Sequence, residues 1–153
     1  MEALVVYFSK FGNTKMVAEA IGEVFDANGS ARVIDCDQLD AGELKEADLV
    51  VMGSPTHRMN LPEAVGPVFD RLPKRVLPGT PVAAFDTSYK MSPFLMPFTA
   101  SKRLAKKLRK LGGKRLAPPE SFFVMEREGP LYEGELERAR TWAEGLLEGI
   151  NGG

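Results

Sequence analysis

Apolar residues in this chain come in two rhythms, short unbroken runs and stretches where they recur every three or four positions, and the two alternate along its length. Ala3 to Phe8 is a near-continuous apolar run, as expected of a central strand buried on both faces. Beyond Asn13 or Thr14 as N-cap, Val17, Ile21, Val24 and Phe25 form one helical stripe that stops at Asn28-Gly29. Ala31 to Cys36 reads as a second strand, residues 40–47 as a short helix, and Asp48 to Gly53 as a third, buried strand. Leu61-Pro62-Glu63 reads as a helix start with Asn60 as cap and Pro62 at the first helical position. Gly66-Pro67 either kinks that helix or delays it, with Val68, Phe69 and Leu72 packing in both cases. Pro81 to Phe85 is a fourth strand, and Thr99 or Ser101 opens a helix that turns Leu104, Leu108 and Leu111 inward before Gly112-Gly113. A fifth strand spans Phe122 to Met125, and a last helix of about Tyr132 to Gly149 aligns Leu136, Ala139, Ala143, Leu146 and Ile150. Strands alternating with helices and joined by right-handed crossovers predict an α/β fold, a doubly wound parallel sheet of five strands in the order 2-1-3-4-5.

The length of 153 residues and an apolar share of 44% fit one domain, residues 1–150, with 151–153 as a frayed tail. A net charge of -1 gives no reason to expect nucleic acid or an anionic membrane as partner. The charges are uneven: residues 102–115 carry eight Lys or Arg and no acid, and 126–148 hold seven acids against three Arg. These are either two solvated helix faces or a docking surface. The single cysteine, Cys36, excludes an internal disulfide and leaves too few thiols for a zinc or iron-sulfur site. No run is long enough to span a bilayer, and no basic segment precedes the first apolar run, so the cytoplasm is the expected compartment.

Candidate chemistry gathers where strands 1, 3 and 4 end, the edge at which doubly wound sheets bind ligands. Ser9-Lys10-Phe11-Gly12-Asn13-Thr14 leads from strand to helix, and its hydroxyls, glycine and helix-start amides form an anion site. With one glycine and no Gly-Lys-Ser/Thr ending, it is neither a dinucleotide fingerprint nor a nucleoside-triphosphate loop. Taken alone, it is also compatible with an ordinary capped turn. Strand 3 ends in Gly53-Ser54-Pro55-Thr56-His57-Arg58-Met59-Asn60, and strand 4 in Phe85-Asp86-Thr87-Ser88-Tyr89. A response-regulator receiver, which has the same strand order, needs an acidic pair after strand 1 and an aspartate ending strand 3; Ser9-Lys10 and Gly53-Ser54 stand there instead.

The three loops together resemble the flavodoxin family, whose phosphate loop reads Thr/Ser-x-Thr/Ser-Gly-x-Thr. Ser9, Gly12 and Thr14 match that pattern, and Phe11 replaces a hydroxyl residue. Gly53-Ser54-Pro55-Thr56 is similar to the family's Gly-Ser/Thr-Pro-Thr loop, and Asp86 to Tyr89 to its Gly-Asp-x-x-Tyr region, with Phe85 in place of glycine. The resemblance implies a flavodoxin-like three-layer αβα sandwich of the short-chain form that binds FMN. Ser9 and Thr14 would donate hydroxyls to the phosphate, amides of residues 10–14 would complete the cup, and Lys10 would add screening. The ring would lie between residues 54–60 and 86–89, with Tyr89 stacked on it. His57, the only histidine, is expected to touch the ring or to stand at the surface, together with Arg58 and Met59. Asn60, tolerant of positive φ, would let a backbone carbonyl turn toward the reduced ring.

Met91-Ser92-Pro93-Phe94-Leu95-Met96-Pro97-Phe98 is the most apolar stretch outside the regular elements. It forms either a rim beside Met59 at the flavin edge, where a redox protein or a small organic acceptor docks, or a segment folded back on the core. Trp142 is read as core or interface packing. The function implied is an FMN-binding electron carrier. The alternatives are an FMN-dependent NAD(P)H or quinone-type reductase, although no nicotinamide motif is visible, and a binding module that has lost FMN.

Overall fold

A computed structural model describes residues 1–57 and 60–152. Its elements run β1 (Glu2–Tyr7), α1 (Asn13–Ala27), β2 (Ser30–Asp35), α2 (Ala41–Glu46), β3 (Leu49–Pro55), α3 (Val65–Asp70), β4 (Pro81–Tyr89), α4 (Ala100–Lys110), β5 (Lys114–Arg115), β6 (Glu120–Val124) and α5 (Glu135–Asn151). The sheet is parallel throughout in the order β2-β1-β3-β4-β5, with β6 also paired to β4. The expected order 2-1-3-4-5 is therefore present, but two segments share its last position. β5 meets β4 only at Pro81 and Val82, and β6 takes up the ladder from Phe85 to Tyr89.

The period of two along each strand divides the core between two layers. From β1, Leu4 and Val6 pack beneath α2, α3 and α4 with Leu44, Val68 and Leu104, whereas Ala3 and Val5 pack with Val17, Ile21, Ala139 and Leu146 of α1 and α5. Phe85, Phe122 and Trp142 form an edge-to-face trio in that second layer, with ring centroids 5.9 to 6.2 Å apart. The ring of Phe85 lies over Gly53, where an added Cβ would come within 2.0 Å of it. Phe85 is thus absorbed into the core by the missing side chain of its neighbour on β3.

Several boundaries depart from expectation for identifiable reasons. The N-cap of α1 is Gly12, at φ 92°, not Asn13 or Thr14. Those two side chains are engaged elsewhere, Asn13 donating to the Glu128 carbonyl and Thr14 paired with Thr87. Helix α3 begins only at Val65, because Asn60 Oδ1 accepts from its neighbour Leu61 and Pro67 fits only in a first turn, where no N–H is needed. Helix α5 begins at Glu135 rather than Tyr132, since Tyr132 N–H donates to the Phe123 carbonyl and Leu131 bridges Val124 beside β6. Strands β3 and β4 run on to Pro55 and Tyr89, carrying the ladder into the loops expected to form the site.

Candidate functional site

The carboxyl ends of β1, β3 and β4 stand side by side, with Tyr7 opposite Gly53, Gly53 opposite Phe85 and Pro55 opposite Thr87. A cavity of about 360 Å³ opens there, within the range of about 300–1,000 Å³ typical of small-molecule sites. Ten of the seventeen residues expected from sequence line it: Lys10, Phe11, Asn13 and Thr14 from the first loop, Pro55, Thr56 and His57 from the second, and Thr87, Ser88 and Tyr89 from β4.

The first loop is held from within. Ser9 Oγ accepts from Gly12 N–H at 3.1 Å, and Gly12 in the left-handed region turns the chain into α1. No side chain caps α1, so its first-turn amides stay available at the cavity wall. Thr14 Oγ1 lies 2.8 Å from Thr87 Oγ1, both buried. In such a pair one hydroxyl proton makes the shared bond, and the other is left to donate. Phe11, half-exposed, carries Lys10 Nζ at 5.5 Å and the Arg127 guanidinium at 5.8 Å from its ring centroid.

The second and third loops are braced by distant partners. Thr56 N–H donates to the Thr87 carbonyl, and Thr56 Oγ1 accepts from Ala100 N–H at the start of α4. His57 and Asn60 exchange two backbone hydrogen bonds of 2.8 and 2.9 Å, which close the loop between them and occupy both backbone groups of Asn60. Tyr89, half-exposed at the end of β4, gives the cavity an aromatic wall.

The remaining expected residues stand apart from the cavity wall. Ser54 and Asp86 are fully buried, and neither lines the cavity. Ser54 Oγ donates to the Pro55 carbonyl, and Asp86 Oδ2 accepts from Ser101 N–H at 2.8 Å, capping α4 across the sheet. Ser9 and Gly12 shape the first loop without lining the cavity, and Asn60 is turned to solvent. Arg58 and Met59 lie outside the described residues.

Three lining residues escaped the sequence reading: Pro62, Val124 and Arg127. Val124 ends β6 and Arg127 follows it, so the signal was positional: β6 is the next neighbour of β4 in a doubly wound sheet. The turn carrying Arg127 is fastened at both ends. Asn13 Nδ2 donates to Glu128, and Glu135 Oε2 accepts from Phe123 N–H on β6. Burial alone would raise the Glu135 carboxyl, yet the hydrogen bonds from Arg138 and Phe123 and the nearby guanidinium hold it below its ordinary value. Arg138 in turn is raised, first by its bond to Glu135, and also donates to the Ser121 carbonyl.

This donor set suits a doubly charged anion joined to a flat ring. Helix-start amides without a side-chain cap, the Thr14–Thr87 hydroxyl pair and two cations, Lys10 and Arg127, meet at the cavity, Tyr89 forms a wall, and no carboxylate lines it among the described residues. In residues 91–98, Phe94, Leu95 and Phe98 are exposed, Phe94 by 85%, whereas Met91 and Met96 are half-buried.

The flavodoxin family model matches residues 5–142. Among solved structures, a flavodoxin from the domain Archaea is 25% identical, with 99% of each chain covered and a TM-score of 0.79. Flavodoxin 2 from Bacillus cereus is 24% identical over 97% of this chain and 99% of its own, with a TM-score of 0.82. The rubredoxin oxygen:oxidoreductase of Desulfovibrio gigas is 21% identical; 99% of this chain matches 36% of that one, with a TM-score of 0.76. With the family pattern running through β1, β3 and β4 into the three loops around the cavity, this chain belongs to the flavodoxin family.

Proposed function

We propose that the protein holds FMN non-covalently and serves as an electron carrier. The observation that carries this reading is the meeting, in one cavity, of the uncapped α1 start, Lys10, Arg127 and Tyr89, with no lining acid among the described residues. The phosphate would be held by the uncapped amides at the start of α1, with Thr14 as hydroxyl donor and Lys10 beside it. Tyr89, Pro55 to His57 and Thr87 to Ser88 would hold the ring. FMN supplies reversible one- and two-electron chemistry, and the protein supplies position, electrostatics and exclusion of water. Tyr89 and Phe11 shield the ring faces, while Lys10 and Arg127 offset the negative charge of the bound group.

The exposed apolar segment at Phe94, Leu95 and Phe98 gives a redox partner a place to dock beside the site. The same lip favours a second reading, reduction of a flat organic acceptor such as a quinone. Steady consumption of NAD(P)H with a quinone by the pure protein distinguishes that enzyme from a carrier. For the principal reading, apoprotein titrated with FMN should gain a perturbed flavin spectrum at one equivalent, and stepwise reduction should bleach it reversibly. A protein that stays colourless and leaves the FMN spectrum unchanged overturns the reading.

A further inference from the structure

Besides the site at the sheet's carboxyl edge, a second cavity of about 380 Å³ lies between α4 and the outer edge of the sheet. Its origin is the interruption between β5 and β6. Leu116 N–H still reaches the Val82 carbonyl at 2.9 Å, but Pro118 and Pro119 have no N–H to continue the ladder. The chain at residues 117–119 therefore passes β4 without pairing, and Ala84, Ala105 and Ala117 are too small to fill the gap.

The floor, made by those alanines with Val82 and Leu108, is apolar. The rim is cationic. Lys102, Lys106 and Arg109 recur along one side of α4, and Arg115 faces them from the end of β5. Among the described residues no acid lines this cavity and none of the four cations makes an ion pair. They are four of the eight Lys and Arg in the basic 102–115 segment, and the proposed flavin site uses none of them.

We infer that this cavity is a binding site for a small amphipathic anion, with its apolar chain or ring in the gap beneath α4 and its carboxylate among Lys102, Lys106, Arg109 and Arg115. Charge complementarity selects the anionic head, and the alanine-lined depth selects an apolar body over a fully hydrated ion. A recess of this volume also fits a small molecule better than the surface of a folded protein.

Decanoate is the probe, titrated into the full chain saturated with FMN and into the chain without added FMN, using calorimetry and backbone amide NMR. One saturable site is expected in both, with shifts centred on Ala105 and Ala117 and little change at residues 10–14 and 87–89. Decanol should bind at least tenfold more weakly. Lys106→Glu combined with Arg109→Glu, both at exposed positions, should weaken decanoate at least tenfold, or about 1.4 kcal/mol, and leave FMN affinity unchanged. Ala105→Phe should fill the gap and abolish binding. Absence of saturable binding, equal affinity for decanol, insensitivity to the double charge reversal, or shifts confined to the flavin cavity would each overturn the assignment. So would docking of an acidic protein on α4 by a chain that ignores decanoate.

Discussion

The hydroxyls of Thr14 and Thr87 lie 2.8 Å apart and out of contact with water, joining the first turn of α1 to the last turn of the ladder on β4. This bond fixes the spacing between the proposed phosphate cup and the proposed ring wall, which belong to different loops 73 positions apart. Thr87→Val keeps the shape, removes one partner and leaves Thr14 Oγ1 buried with nothing to share. The variant should lose about 1–2 kcal/mol of stability in urea unfolding. FMN affinity should fall modestly as well, because Thr14 keeps its own proton to donate but loses the acceptor or donor that orients its hydroxyl. Unchanged stability together with unchanged FMN affinity would remove the bond from the account.

Lys10 and Arg127 converge on Phe11 from opposite ends of the chain. Arg127→Ala should weaken FMN about tenfold, in line with about 1.5 kcal/mol for a charge-assisted hydrogen bond. Riboflavin, which lacks the phosphate, should bind equally to both proteins. Fluorescence titration at two salt concentrations checks this, since the loss should shrink as salt screens the cation. Equal weakening of riboflavin would assign Arg127 to the ring instead.

Gly53 and Phe85 form a tight size match, because any Cβ at Gly53 occupies the space of the Phe85 ring. Gly53→Ala alone should destabilise the fold by about 3 kcal/mol, the upper range for overpacking a full core. Combining it with Phe85→Leu should cost less than the sum of the two single changes, since the smaller side chain relieves the clash. A strictly additive cycle in chemical denaturation would mean that the backbone, rather than Phe85, absorbs the added methyl.

Glu135 ties α5 to β6 through Phe123 and Arg138. Its carboxyl is held below the ordinary value in the folded protein, so the folded state binds its proton less readily than the unfolded chain does. Its contribution is complete above the unfolded carboxylate range and is lost as the pH falls through the lower, folded value. Acid unfolding of Glu135→Gln should therefore depend less steeply on pH in that acidic window than that of the parent. At neutral pH the variant should be less stable by about 2 kcal/mol, through the lost charge-assisted bonds. Parallel acid-unfolding curves would rule out this linkage.

The sequence by itself determined the strand and helix order, the buried faces of β1, α1 and α4, and the three loops at one edge of the sheet. Those features depend on neighbours two to four residues apart, which a linear pattern displays directly. Only the tertiary structure decided which side chains the site keeps. Asp86 reads as a ligand group in its loop, but it is fully buried and its Oδ2 accepts from the Ser101 amide at the start of α4. Phe85 reads as a departure at the flavin edge, yet it points into the opposite layer because Gly53 makes room for it. Arg127 belongs to no motif and reaches the cavity only because β6 completes the ladder beside β4. The gap under α4 likewise exists because two prolines interrupt a pairing between strands far apart in sequence. Partners separated by many residues are chosen by packing and by the demand that buried polar groups be satisfied, and neither has a period along the chain.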